Sequence, residues 1–210
     1  MKAVILDYDG VMVDSAQANE KRSKRVAALF KEQWSPEFKD LWKNQYLQLT
    51  EGKLTLGEYY SKIAQVVGKP VTGAEDTEYM KGEQIRDKEI GNQISEIKKA
   101  HPSKVKFAIL GNYVGRWAEH VMDHLNISRN FSAQVYSDKI KVRMPDAEAY
   151  QAVMEKLGVH AKDCIFVSHI ASHLEGAQSM GMTAVYLGDI EAAAEGFQVI
   201  PNILEVQKYL

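Results

Sequence analysis

Cysteine is almost missing from this chain: Cys164 is the one thiol among 210 residues. An intrachain disulfide is therefore excluded, and such sparse usage fits a reducing compartment. Cys164 opens an apolar stretch, so buried packing rather than reactivity is its expected role. Long apolar runs are missing as well, and none reaches membrane-spanning length. The N-terminal run meets Asp7 too early for a signal peptide, so a cytoplasmic protein with no membrane partner is expected. Neither sign of charge dominates: 26 basic residues stand against 28 acidic ones, for a net charge of -2. That balance gives no general pull towards nucleic acid. The cluster Lys21-Arg22-Ser23-Lys24-Arg25 is a local exception, but Glu20 and the apolar Val26, Ala27, Leu29 and Phe30 adjoin it. A solvated helix face explains it. Repeats and low-complexity segments are also lacking.

What is present is an ordinary globular composition, 45% hydrophobic and 26% charged, long enough for one medium domain or one domain with an insert. Its most informative stretch runs from Val4 to Ser15. The run Ala3 to Leu6 carries no polar alternation and stops abruptly at charge, the pattern of a buried parallel strand. Asp7 and Asp9 follow, and then Gly10, which lets the backbone leave the strand tip in an unusual conformation. In open parallel sheets the carboxyl ends of strands are where ligands bind. Two acids there are costly unless a cation or phosphate chemistry requires them. A calcium loop of the Asp-x-Asp type is excluded, because Ala18 falls where such a loop needs glutamate, and a strand rather than a helix precedes it.

Beyond Ser15 the periodicity becomes helical. Val26, Leu29, Phe30 and Trp34 form one stripe, ended by Pro36; Phe38, Leu41, Trp42 and Tyr46 form the next. Glu51-Gly52-Lys53 reads as a turn. Thr55 with Glu58 predicts a capping box ahead of Tyr59, Ile63, Val66 and Val67, with Gly68 and Pro70 as the stop. The aromatics Trp34, Phe38, Trp42, Tyr46, Tyr59 and Tyr60 are expected to pack a helical bundle. Residues 72 to 92 are polar, with Met80 and Ile85 as the firm apolar marks. Strand and helix patterns then alternate. A helix carries Ile94 and Ile97, and Val105 to Leu110 is a strand. Val114 to Leu125 traces a helix, Gln134 to Tyr136 a short strand, and Tyr150 to Leu157 a helix ended by Gly158. Cys164 to Val167 is a strand, Leu174 to Met180 a helix, and Thr183 to Leu187 a strand. Val199-Ile200 and a C-terminal helix close the chain. Such alternation predicts an α/β fold, a Rossmann-like, doubly wound parallel sheet. Residues 1–14 and 92–210 would form the core domain, and 15–91 an inserted α-helical cap.

Asp7-Tyr8-Asp9-Gly10-Val11 resembles the first motif of the haloacid dehalogenase superfamily, most of whose members are magnesium-dependent phosphatases. Three further stretches match the capped phosphatases similar to the N-terminal phosphatase domain of soluble epoxide hydrolases. They are Phe107 to Asn112, Val142-Arg143-Met144-Pro145-Asp146, and Ile165 to His169 continuing to Glu175-Gly176-Ala177. The resemblance covers nearly the whole chain. It implies that Asp7 attacks phosphorus and that Asp9 trades a proton with the leaving oxygen, roles a carboxylate pair can fill. It also implies a divalent metal, magnesium in the family, and a small phosphorylated molecule as partner. Gly10, Gly111, Asn112 and Lys141 would line the substrate.

Three motifs depart from that pattern. Gly111 stands where the family places Ser or Thr, so a hydroxyl is lost while backbone N–H groups can still cradle an oxyanion. Met144 replaces the lysine, removing a point charge from beside the nucleophile. Arg143 is no clear replacement, since arginine is common there in the family, whereas Lys141 replaces a usual glycine and can in principle reach in. Ser168-His169 stands where the family carries acids that complete the magnesium site. Imidazole suits transition metals better than magnesium, so Asp7, Asp9 and His169 are a candidate two-carboxylate, one-histidine metal site. His173 could join it if its segment is helical. Histidines that merely fill the space are the alternative. His120 and His124 lie off the apolar stripe and read as surface; His101 and His160 fall in connections.

Three functions follow. One is a phosphoric-ester hydrolase whose activity is weakened or rewired to another metal. A second is a non-catalytic relative that keeps the fold for binding or regulation, with no metal. Haloacid dehalogenation ranks last, because that chemistry normally lacks the second acid that Asp9 supplies.

Overall fold

A computed structural model describes residues 1–13, 36–68, 70, 89–189, 191 and 196–210. The basic cluster 21–25, the stripe from Val26 to Trp34, Asp14 and Ser15, and the polar stretch from 71 to 88 lie outside the described residues, as does the side chain of Phe38.

Six strands form one sheet in the order β3-β2-β1-β4-β5-β6. They are β1 (Lys2–Asp7), β2 (Val105–Gly111), β3 (Ala133–Tyr136), β4 (Cys164–Ser168), β5 (Thr183–Leu187) and β6 (Gln198–Ile200). Every pairing is parallel. The order reverses at β1, whose neighbours are β2 on one side and β4 on the other, so the crevice beyond its carboxyl end is the place for a ligand. The helices are α1 (Pro36–Thr50), α2 (Leu56–Val67), α3 (Ile90–Ala100), α4 (Gly115–His124), the single turn α5 (Ser137–Ile140), α6 (Ala147–Leu157) and α7 (Ala171–Ser179).

Side-chain alternation along the strands sorts the core into two layers. Val4 and Leu6 of β1 join Phe107, Ile109, Ile165 and Val167 on one face. Ala3 and Ile5 join Ala108, Leu110, Cys164 and Phe166 on the other. Asp7 continues the second row and Tyr8 the first. Of the aromatics expected of the insert, Trp42, Tyr46, Tyr59 and Tyr60 lie on the first face. Tyr46 stacks on Trp117 of α4 with centroids 6.3 Å apart, Trp42 stacks on Tyr46 at 5.8 Å, and Tyr59 meets Trp117 edge-on at 6.3 Å. They therefore pack against the sheet's own helix rather than only against one another.

The predicted capping box is present: Thr55 accepts the Glu58 N–H, and the Glu58 carboxylate accepts the Thr55 N–H at 2.8 Å. That exchange with Thr55 holds the Glu58 carboxyl below its ordinary range. The expected C-terminal helix is instead a 3-10 segment, Ile203–Tyr209, anchored where the Ile203 N–H meets Gln93 Oε1 on α3. No helix among the described residues is long and apolar enough to cross a membrane.

Candidate active site

The register of β1 explains why a carboxylate sits where it does. Leu6 lies beside Val167 and Asp7 beside Leu110, so the next residue of β4, Ser168, comes alongside Asp7 on the same face. Asp7 is fully buried. Its Oδ2 accepts two hydrogen bonds at 2.7 Å, one from the Ser168 hydroxyl and one from His173 Nδ1. The Ser168 oxygen in turn accepts the Ile170 N–H at 3.0 Å, which leaves its proton for Asp7. Asp7 Oδ1 is buried and has no hydrogen-bond partner among the described residues. The two oxygens of one carboxylate are thus sharply distinguished: one is held, the other is bare.

Behind Asp7, the loop that reverses the chain is closed by Tyr8. Its carbonyl accepts from the Met12 and Val13 N–H groups, and the Gly10 N–H donates to Val13 O at 2.7 Å. Gly10 turns with φ +77°, a conformation that favours glycine, and its missing side chain makes room for His169. The imidazole lies where a Cβ would stand, its Cε1 only 1.7 Å from that point. His169 is thus turned onto the loop. Asp9, half-buried, bridges to Val13. Among the described residues no three His, Cys, Asp or Glu side chains are placed to hold a metal ion. The expected trio of Asp7, Asp9 and His169 is therefore not gathered as one.

The other expected ligand residues have partners of their own. Asn112 faces the Met144 backbone in both directions: its Oδ1 accepts the Met144 N–H at 2.8 Å and its Nδ2 donates to Met144 O at 2.9 Å. Nδ2 also lies 3.3 Å from His173 Nε2. The Met144 side chain is buried in the layer of Ile5, Leu110 and Phe166. Lys141 ends α5 in the left-handed conformation at φ +60°. It is exposed, with its stem beside Gly52, and forms no ion pair with Asp7. The rescue of the missing lysine by Lys141 is thus not built, because the α5 turn aims that residue at the 51–53 turn. Arg143 donates to the Thr50 hydroxyl at the end of α1.

Gly111 has a steric reason. A Cβ there would stand 2.6 Å from Tyr8 Cβ and 3.3 Å from the Tyr136 ring, below any real Cβ contact in the first case. Tyr8 is itself fixed by Tyr113, with ring centroids 4.7 Å apart, and by Tyr136 edge-on at 5.9 Å. The absent hydroxyl of the second motif is therefore coupled to the tyrosine between the two aspartates. Sequence reasoning missed this contact, along with the donor roles of Ser168 and His173. Burial, and secondarily the Asp7 charge, push the Tyr150 hydroxyl far above its usual range. It stays a donor, giving its proton to His173 O at 2.7 Å.

Comparison with known proteins agrees with this architecture. The family described as haloacid dehalogenase-like hydrolase matches residues 1–181. A phosphorylated carbohydrates phosphatase of Thermotoga maritima is 25% identical over 187 residues, covering 89% of this chain and 84% of that protein. Among solved structures, a haloacid dehalogenase family enzyme of Bacteroides thetaiotaomicron superposes with a TM-score of 0.71 at 20% identity, covering 90% of this chain and 96% of that one. It is also known in complex with magnesium and inorganic phosphate. The L-2-haloacid dehalogenase of Xanthobacter autotrophicus superposes with a TM-score of 0.68 at 18% identity over 99% of this chain and 97% of that one.

Proposed function

This chain belongs to the haloacid dehalogenase-like hydrolase family, and we propose that it hydrolyses the phosphate ester of a small carbohydrate-like metabolite, slowly. Residues 15–91 act as a helical cap over a core of 1–14 and 92–210. The single observation that carries the reading is the bare Oδ1 of a buried Asp7 whose Oδ2 is held by Ser168 and His173. In the first half-reaction Oδ1 attacks phosphorus, the ester P–O bond breaks, and Asp9 gives its proton to the departing alkoxide. In the second, Asp9 takes a proton from water, the resulting hydroxide attacks phosphorus, and the Asp7–phosphorus bond breaks to release phosphate. The Thermotoga relative, a phosphatase of phosphorylated carbohydrates, supports the substrate class.

Magnesium, present in the Bacteroides enzyme, is the ion that the family implies. The donor set here does not fit it. Magnesium demands an octahedron of oxygens, yet Asp7 Oδ2 is aimed at two hydrogens, and the fourth-motif position offers imidazole turned onto Gly10. The reaction is slow because the charge of the family's lysine is replaced by a buried thioether, and losing one preorganised charge-stabilising group costs about a hundred- to a thousandfold in rate.

The test is release of inorganic phosphate from p-nitrophenyl phosphate and a panel of sugar phosphates, with Asp7→Asn as control. Turnover lost by about a thousandfold or more in the variant is expected. Turnover unaffected by Asp7→Asn, or none on any ester, would overturn the reading. The second outcome favours a non-catalytic binding protein, for which the Tyr8 contact at Gly111 and the buried Met144 speak.

A further inference from the structure

We propose that His173 and Ser168 take at Asp7 the place that the family gives to a divalent cation, so that the site works without one and His173 is its positioning residue. The inference rests on the hydrolase reading for its chemistry, but its geometry stands alone.

The direction of each hydrogen follows from the network. Asn112 is locked by Met144, since its oxygen faces an N–H and its nitrogen faces a carbonyl. One amide hydrogen goes to Met144 O, and the other is left for His173 Nε2 at 3.3 Å. Nε2 then offers its lone pair, and the ring proton belongs on Nδ1, 2.7 Å from Asp7 Oδ2. Tyr150 clamps the His173 carbonyl, and the His173 N–H closes the first turn of α7 on Ile170 O. A line of hydrogen bonds thus runs from the Met144 backbone through Asn112 and His173 to Asp7.

Two positive hydrogen ends converge on Oδ2, and a cation placed on that oxygen would face both. The two donors come from the end of β4 and the first turn of α7, the segment from which the family draws its metal-binding acid. The donors fix the carboxylate rotamer and point Oδ1 away from them. They do not neutralise the Asp7 charge, and among the described residues no lysine or arginine pairs with it.

The test is calorimetric titration of the full chain with magnesium and with manganese, beside Asp7→Asn. No Asp7-dependent saturable heat is expected. Binding that Asp7→Asn abolishes would overturn the proposal. Nitrogen NMR of the imidazoles should show His173 protonated at Nδ1, and Asn112→Ala should remove that preference. A ring protonated at Nε2 in the wild-type chain would overturn it too. In His173→Asp, manganese affinity should rise at least tenfold, and no gain in a folded variant counts against the proposal. Should that variant fail to fold, the wild-type titration still decides. Any ester turnover should survive EDTA, and turnover that EDTA abolishes and magnesium restores overturns the proposal. Absence of all turnover sinks the hydrolase reading alone and leaves the titration to judge this one.

Discussion

Asp7 and Tyr8 are neighbours in the chain, yet they belong to opposite faces of the sheet and to opposite kinds of order. On the Asp7 side, four side chains (Asp7, Ser168, His173 and Asn112) are placed by a handful of directional hydrogen bonds. On the Tyr8 side, rings are held by area: Tyr8, Tyr113, Trp117, Tyr46 and Trp42 follow one another at centroid spacings of 4.7, 6.2, 6.3 and 5.8 Å. The polar face depends on single atoms and tolerates little exchange; the aromatic face depends on volume and shares its load over many contacts. The lesson is that stability and chemistry are separable here, although one strand tip supports both.

Breaking the aromatic face should have the larger effect on stability. Trp117→Ala removes the ring that Tyr46, Tyr59 and Tyr113 pack against, and should cost about 3–5 kcal/mol in denaturant unfolding. If unfolding shifts by a tenth of that, the ring chain carries no load. Gly111→Ser probes the seam between the faces, because its Cβ would collide with Tyr8. A loss of about 1–3 kcal/mol is expected, largely relieved when Tyr8→Gly, which removes the opposing Cβ, is added. Additive losses in that double-mutant cycle would show that the two sites do not touch. At the surface end of α2, Thr55→Ala deletes the cap and should cost about 1 kcal/mol, with no change in any ester turnover.

The sequence carried the sheet well because central parallel strands are short, uniformly apolar runs that end at charge or glycine, as at Leu6-Asp7 and Leu110-Gly111. Thr55 and Glu58 were equally readable, since a capping box is local. What stayed hidden depends on register between distant segments. Tyr8 meets Gly111 and Asp7 meets Ser168 only because β1 pairs with strands that begin about a hundred or more residues later. The α5 turn has four residues and no periodicity to read, yet it decides where Lys141 goes. In the sequence His173 reads as a possible ligand; its role as a donor depends on Asn112 and Met144 beside it. Cys164 is buried as its apolar setting implied, and burial raises its thiol to about 11.

The most direct test of the account is to expose the full chain to an acyl phosphate in the presence of EDTA and map any phosphate-mass adduct by peptide mass spectrometry. An adduct on the peptide bearing Asp7, absent in Asp7→Asn and formed without added metal, is the predicted result. An adduct that requires magnesium, or that maps to any other residue, contradicts it.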